Sequence, residues 1–206
     1  MKWIKPIFVL ALYAPYAVAF DILDHEINPP WIDKAKPQRF SVCFNHSCKQ
    51  TANIGLKQNQ WKKVQALFKK KAKNAAQERK RIAKAISMME KFVGPLINTS
   101  NDKAYNFRGM LADGNQQDCV DESTNSTTYL TMMEQEGMLQ FHKVRTTSTR
   151  GWFITGLPHT TAVIRDTKSG ADYAVDSWFH DNGVEPEIIP LSLWFKGWDP
   201  EKDKRP

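Results

Sequence analysis

The stretch from His159 to Asp176 leaves the backbone little choice. His-Thr-Thr-Ala-Val-Ile-Arg-Asp is an extended, β-branched run; Thr167-Lys168-Ser169-Gly170 is a turn; Ala-Asp-Tyr-Ala-Val-Asp-Ser-Trp is a second extended run. Such a pattern predicts a β-hairpin. With an even loop, antiparallel parity puts His159 and Asp176 on one face, directly opposite or diagonal. A histidine beside an aspartate is a base with its orienting acid, which directs the search to a nucleophile.

The nucleophile is forty residues upstream. Cys119 begins a run through Gly137 that reads as one helix, with Asp118 as N-cap, Asp121 and Glu122 in the first turn and Gly137 as the stop. A thiol on the first turn meets the positive end of the helix dipole and unpaired N–H groups, both of which favour thiolate. Cys119, His159 and Asp176 together predict a base-activated thiol nucleophile. His142, in the alternating strand Leu-Gln-Phe-His-Lys-Val, and His180, after Trp178-Phe179, compete for the role of base, but only His159 has a following strand to bring an acid alongside.

A cysteine at a helix start, a histidine opening a strand and an aspartate ending the next resemble the transglutaminase-like cysteine hydrolases, most closely the bacterial transglutaminase-like cysteine proteinases. Their Gly-Asp-Cys-Glu-Asp type motif has its counterpart in Gln117-Asp118-Cys119-Val120-Asp121; their His-Ala strand and apolar-Asp correspond to His159-Thr160-Thr161-Ala162 and Ala174-Val175-Asp176. The likeness covers roughly residues 115–178, with Gln117 in place of Gly and Val120 in place of the acid. It implies an α+β, papain-like fold with helices first and an antiparallel sheet afterwards, and attack on an amide bond of a protein or peptide. It also offers calcium through Asp118 and Asp121, although helix capping accounts for both equally well. The oxyanion donors would be the Cys119 N–H and the side chain of Gln116 or Gln117, or those glutamines face water.

The chain starts with a targeting pattern. Lys2 and Lys5 precede an apolar stretch from Ile7 to Val18, and Ala17-Val18-Ala19 is a cleavage signature. Residues 1–19 read as a signal peptide, a retained anchor being the alternative, so the protein is expected to be secreted or periplasmic. Export changes the reading of the three cysteines. Cys43 and Cys48 flank a tight turn and are natural disulfide partners, which leaves Cys119 free; a metal set of Cys43, His46 and Cys48 lacks a second cluster.

Residues 20–38, with Pro29-Pro30 and Pro37, read as an arm or linker, and 39–198 as a single domain that opens with a disulfide-pinned hairpin over 39–56. Helical periodicity runs from Lys57 to Phe68 and from Asn74 to Val93, where Gly94-Pro95 should end it. Lys57 to Lys91 holds twelve basic and two acidic residues; from Asn101 onward the count is eleven against sixteen. The positive charge therefore belongs to two helices, as a solvated face or as a surface for an anionic envelope. Nucleic acid is not expected, because Trp61 and Phe68 lie on the apolar side. Trp178, Phe179, Trp194, Phe195 and Trp198 read as packing over the sheet or as a groove wall, and 199–206 is a charged tail. The functional expectation is an exported thiol hydrolase or acyltransferase with no required cofactor. Its alternative is a non-catalytic envelope-binding protein on the same fold.

Overall fold

In a computed structural model that describes residues 28–106, 115–151 and 158–203, the hairpin of β4 (His159–Asp166) and β5 (Asp172–Asp176) forms as expected. Asp166 ties its turn by accepting from the N–H groups of Lys168 and Ser169, and Gly170 takes φ 74°, which favours glycine. Ala162 faces Val175. Continuing that register sets Thr161 across from Asp176 and leaves His159 diagonal to it on the same face.

β3 (His142–Arg150) and β6 (Glu187–Pro190) complete an antiparallel sheet of order β3-β4-β5-β6. Ahead of it come a separate hairpin of β1 (Phe40–Phe44) and β2 (Gln50–Ile54) and then three helices: α1 (Gln58–Phe68), α2 (Ala75–Ile97) and α3 (Cys119–Gln135). The architecture is α+β, with helices followed by antiparallel strands. A short α4 (Leu191–Trp194) follows β6.

The helices bury one stripe each. Ile82, Ile86 and Met89 of α2 are fully buried, as are Leu130 and Met133 of α3, and they pack with Ala162, Ile164 and Val175 of the sheet. Side chains of this size stabilise by about 1.5–3 kcal/mol each when fully buried. The opposite sheet face is covered from the C-terminal side, where Ala174 and Ile189 pack with Trp178, Phe179, Trp194 and Trp198. The aromatic tail is therefore largely packing, with Phe195 left exposed.

One helix end differs from expectation. α2 runs through Gly94-Pro95 to Ile97 and ends at Asn98, whose φ of 60° is left-handed. Proline removes one N–H, but Val93, Gly94 and Ile97 are buried, and that packing carries the helix one turn further. α3 ends as expected. Gly137 has φ 71°, and the N–H groups of Gly137 and Met138 donate to Glu134 and Met133. The described part of the arm, residues 28–38, lies along the first hairpin: Ile32 N–H donates to Ser41 Oγ, and Leu56 N–H to Pro37 O. Residues 1–19 lie outside the described residues. No helix among the described residues is long and apolar enough to cross a membrane.

Candidate active site

Asp118 Oδ1 accepts the N–H groups of Val120 and Asp121, the N-cap that starts α3 at Cys119. A second clamp comes from β1–β2. Cys43 and Cys48 are joined in a disulfide, so they form no metal set with His46, and the four residues Asn45 to Cys48 all have φ between 52° and 64°. This left-handed loop aims its N–H groups at the helix start. Ser47 N donates to Asp118 Oδ2 (2.9 Å), while His46 N and Cys48 N donate to the two oxygens of Asp121 (2.7 Å each). Both aspartates are thus engaged by backbone donors. Burial and the Asp118 charge push the Asp121 carboxyl up to about 7, against the pull of those N–H groups.

The two glutamines brace the same region. Gln117 is buried, and its Nε2 donates to Cys43 O; Gln116 Nε2 donates to Asn101 O, and its Oε1 accepts from Lys103 N and Asn106 Nδ2. Their visible work is to hold loops, and neither faces open water as a free amide.

His159 Nε2 meets Asp176 Oδ2 at 2.7 Å, with both side chains almost fully buried. Trp194 Nε1 donates to the same oxygen at 2.7 Å. Trp178, Trp194 and Phe179 surround the imidazole at 4.6, 5.4 and 5.4 Å between ring centres. The other ring nitrogen, Nδ1, is buried and has no hydrogen-bond partner among the described residues. Cys119 comes near the next residue, Thr160, whose backbone N–H is close enough to favour the charged form of the thiol. An open cavity of about 450 Å³, lined by Tyr105, Arg150, Trp178, Phe179 and Asp199, reaches His159. Arg150 lies directly across from His159 on β3, with its guanidinium stacked on Trp194.

Three described histidines touch a carboxylate, and they are not equivalent. His142 is fully buried, with Nδ1 on Glu78 and Nε2 beside Arg79. Glu78 also accepts from Gln140 and Phe141 N–H. Burial alone would raise its carboxyl, but His142 and those donors hold it below the usual range. His180 pairs with Glu187. Only His159 among the three combines an acid partner, an open nitrogen and a neighbouring thiol.

The thiol itself departs from expectation. Burial pushes Cys119 up to about 11, the charges of Asp118 and Asp176 add to the rise, and the Thr160 N–H only partly opposes it. Desolvation beats the helix dipole here because Cys119 is buried in one cluster with Trp178, Phe179, Trp194 and Trp198. Iodoacetamide should accordingly label the native protein slowly at pH 7 and progressively faster up to about pH 10. Complete labelling within seconds at pH 7 would contradict a covered, protonated thiol.

Sequence reasoning missed a group of acids beneath the cysteine. Glu122 lies one turn along α3, near enough to feel the charges of Asp102, Glu90 and Asp176. Burial raises Glu122 well above its usual range, Glu90 to about 7 and Asp102 to about 6. The i, i+3 spacing from Cys119 was the available signal, since it puts Glu122 on the same side of the helix.

A carboxyl raised on folding binds its proton more readily in the folded state. For Asp102 and Glu90 that contribution is complete near pH 4 and is lost as pH climbs through 6 to 7, and Glu122 acts in the same direction. Carboxyls held low, such as Asp172 and Asp181, act below about pH 4, outside this window. Burial of His46 acts in the opposite sense, but only up to about pH 6.5. The melting temperature is therefore expected to fall between pH 5 and pH 8, with a flatter slope in Glu122→Gln. Thermal unfolding followed by circular dichroism tests this, and a melting temperature rising across the interval would contradict it.

No protein-family model, no curated protein and no solved structure matches this chain.

Proposed function

We propose that the protein is an exported thiol hydrolase or acyltransferase acting on an amide bond of a protein or peptide, on a transglutaminase-like, papain-like scaffold. The observation that carries this reading is the His159–Asp176 bond, with the remaining imidazole nitrogen buried and unpartnered among the described residues, next in the chain to Thr160, whose N–H lies near the Cys119 thiol. Asp176 fixes the proton of His159 on Nε2, so Nδ1 is the basic nitrogen. As the sulfur attacks the amide carbon, Nδ1 takes the thiol proton. When the C–N bond breaks it returns that proton to the leaving nitrogen, and a thioester remains on Cys119. Water resolves the thioester in hydrolysis, and an amine does so in transamidation. The high thiol pKa suits a pair in which proton transfer accompanies attack and no resting thiolate is stored.

The order of the three residues in the chain, and their distribution over a helix start and two paired strands, support the transglutaminase-like reading. The N-terminal targeting pattern and the Cys43–Cys48 disulfide both fit export. One observation favours a second reading, a non-catalytic envelope-binding protein: Cys119 is only 7 % exposed and is buried in an aromatic cluster. The two separate on incubation of wild type and Cys119→Ala with an envelope extract, following released amines and peptides. Product from wild type alone supports the enzyme; equal product from both leaves the binding protein.

A further inference from the structure

The sequence between Lys57 and Lys91 contains two acidic residues, Glu78 and Glu90, and the fold turns both inward. Glu78 is buried on His142 and the N–H groups of Gln140 and Phe141. Glu90 has one oxygen on Ser177 Oγ and the other on Gly183 N. The two arginines are also engaged. Arg79 stacks on Tyr173, and Arg81 donates to the carbonyls of Lys70 and Lys71. What remains outside is lysine: Lys57, Lys62, Lys63, Lys69 to Lys71, Lys73, Lys80, Lys84 and Lys91 are all exposed, with no acid at ion-pair distance among the described residues. Lys80, Lys84 and Lys91 follow spacings of four and seven and share one helix face.

We infer that this face of α1 and α2 is a docking surface for a bilayer carrying anionic phospholipid head groups. The residue types decide between partners. Lysine is a hydrated, mobile point charge that suits a diffuse layer of phosphates, whereas base reading relies on arginine forks and stacked aromatic rings. In this segment Trp61 and Phe68 are buried, and the arginines are held by the fold. A protein partner would need desolvated aromatic or arginine anchors, and lysine is depleted from the cores of such interfaces. The Lys-flanked apolar stretch at residues 2–18 independently directs the chain to a membrane, as a leader or as an anchor.

The test is co-sedimentation of the chain starting at Phe20 with vesicles of phosphatidylcholine alone or with about one third phosphatidylglycerol, at low and at high salt. Binding is expected only to the anionic vesicles, with loss at high salt. Each lysine near such a surface is worth about 1 kcal/mol, so Lys80→Gln/Lys84→Gln/Lys91→Gln should weaken binding roughly a hundredfold. Lys143→Gln/Lys168→Gln/Lys196→Gln removes the same charge elsewhere and should leave most of it. Circular dichroism checks that both triple variants are folded. Equal loss in the two variants, no preference for anionic vesicles, or tighter binding at equal salt to duplex DNA or polyglutamate than to vesicles would overturn the inference. None of these outcomes depends on whether Cys119 turns over a substrate.

Discussion

Cys119→Ala is expected to leave no measurable amide cleavage, because no other side chain at the site can form the acyl-enzyme. His159→Ala should lower kcat by at least about a thousandfold, since it removes both the base for the thiol and the acid for the leaving amine. Asp176→Asn should be milder, with an upper bound near the loss of about 10⁴ seen in serine triads. The structure gives the reason for that loss. Trp194 Nε1 and His159 Nε2 both meet Asp176 Oδ2, so an asparagine that keeps its oxygen there retains both bonds and loses only the negative charge. The imidazolium formed when His159 takes the thiol proton would then lack its counter-charge, which raises the barrier while the tautomer stays in place. Steady-state release of amine from a peptide or glutamine substrate, with thiol titration of each variant as a folding check, decides the matter. Activity retained in Cys119→Ala would end the enzyme reading.

Breaking the disulfide should have the second largest effect. Cys43→Ser/Cys48→Ser removes a closure of five residues, worth about 2 kcal/mol on loop entropy alone. It also frees a loop in which Asn45, His46, Ser47 and Cys48 are held left-handed, a conformation that non-glycine residues adopt reluctantly. With the loop relaxed, Asp118 and Asp121 lose the N–H donors of His46, Ser47 and Cys48. Thermal unfolding is expected at a temperature lower by about 4–8 °C. Turnover should fall as well, because the start of α3 carries the thiol. An unchanged melting temperature together with unchanged activity would show that the clamp is dispensable.

What the sequence disclosed was local. The hairpin from His159 to Asp176, the N-cap at Asp118 and the Cys43–Cys48 pairing each depend on residues close together in the chain, and each formed as expected. The disagreements come from contacts made across long separations. The Cys119 thiol was expected to be acidic from its helix position, but it is buried in one cluster with Trp178, Phe179 and Trp198 from far along the chain. Pro95 looked like a helix stop until Val93, Gly94 and Ile97 found the core. His142 competed for the role of base because nothing near it announced Glu78, its buried partner 64 residues earlier. The glutamines before Cys119 offered donors by position, while their actual partners, Cys43 O and Asn101 O, belong to other segments.

Asp176 receives Trp194 as well as His159, and Trp194 comes from α4, which follows every strand of the sheet in the chain. Synthesis delivers α3 and the β4–β5 hairpin first and this tryptophan after them. A nascent chain halted before α4 would possess all three chemical groups, but its aspartate would have one donor fewer and its imidazole one aromatic wall fewer. Arg150 would also lack the Trp194 and Trp198 carbonyls to which it donates. The His159–Asp176 pair is thereby fully walled only once α4 has been made and has docked, so the strands alone would hold the pair without its tryptophan contacts.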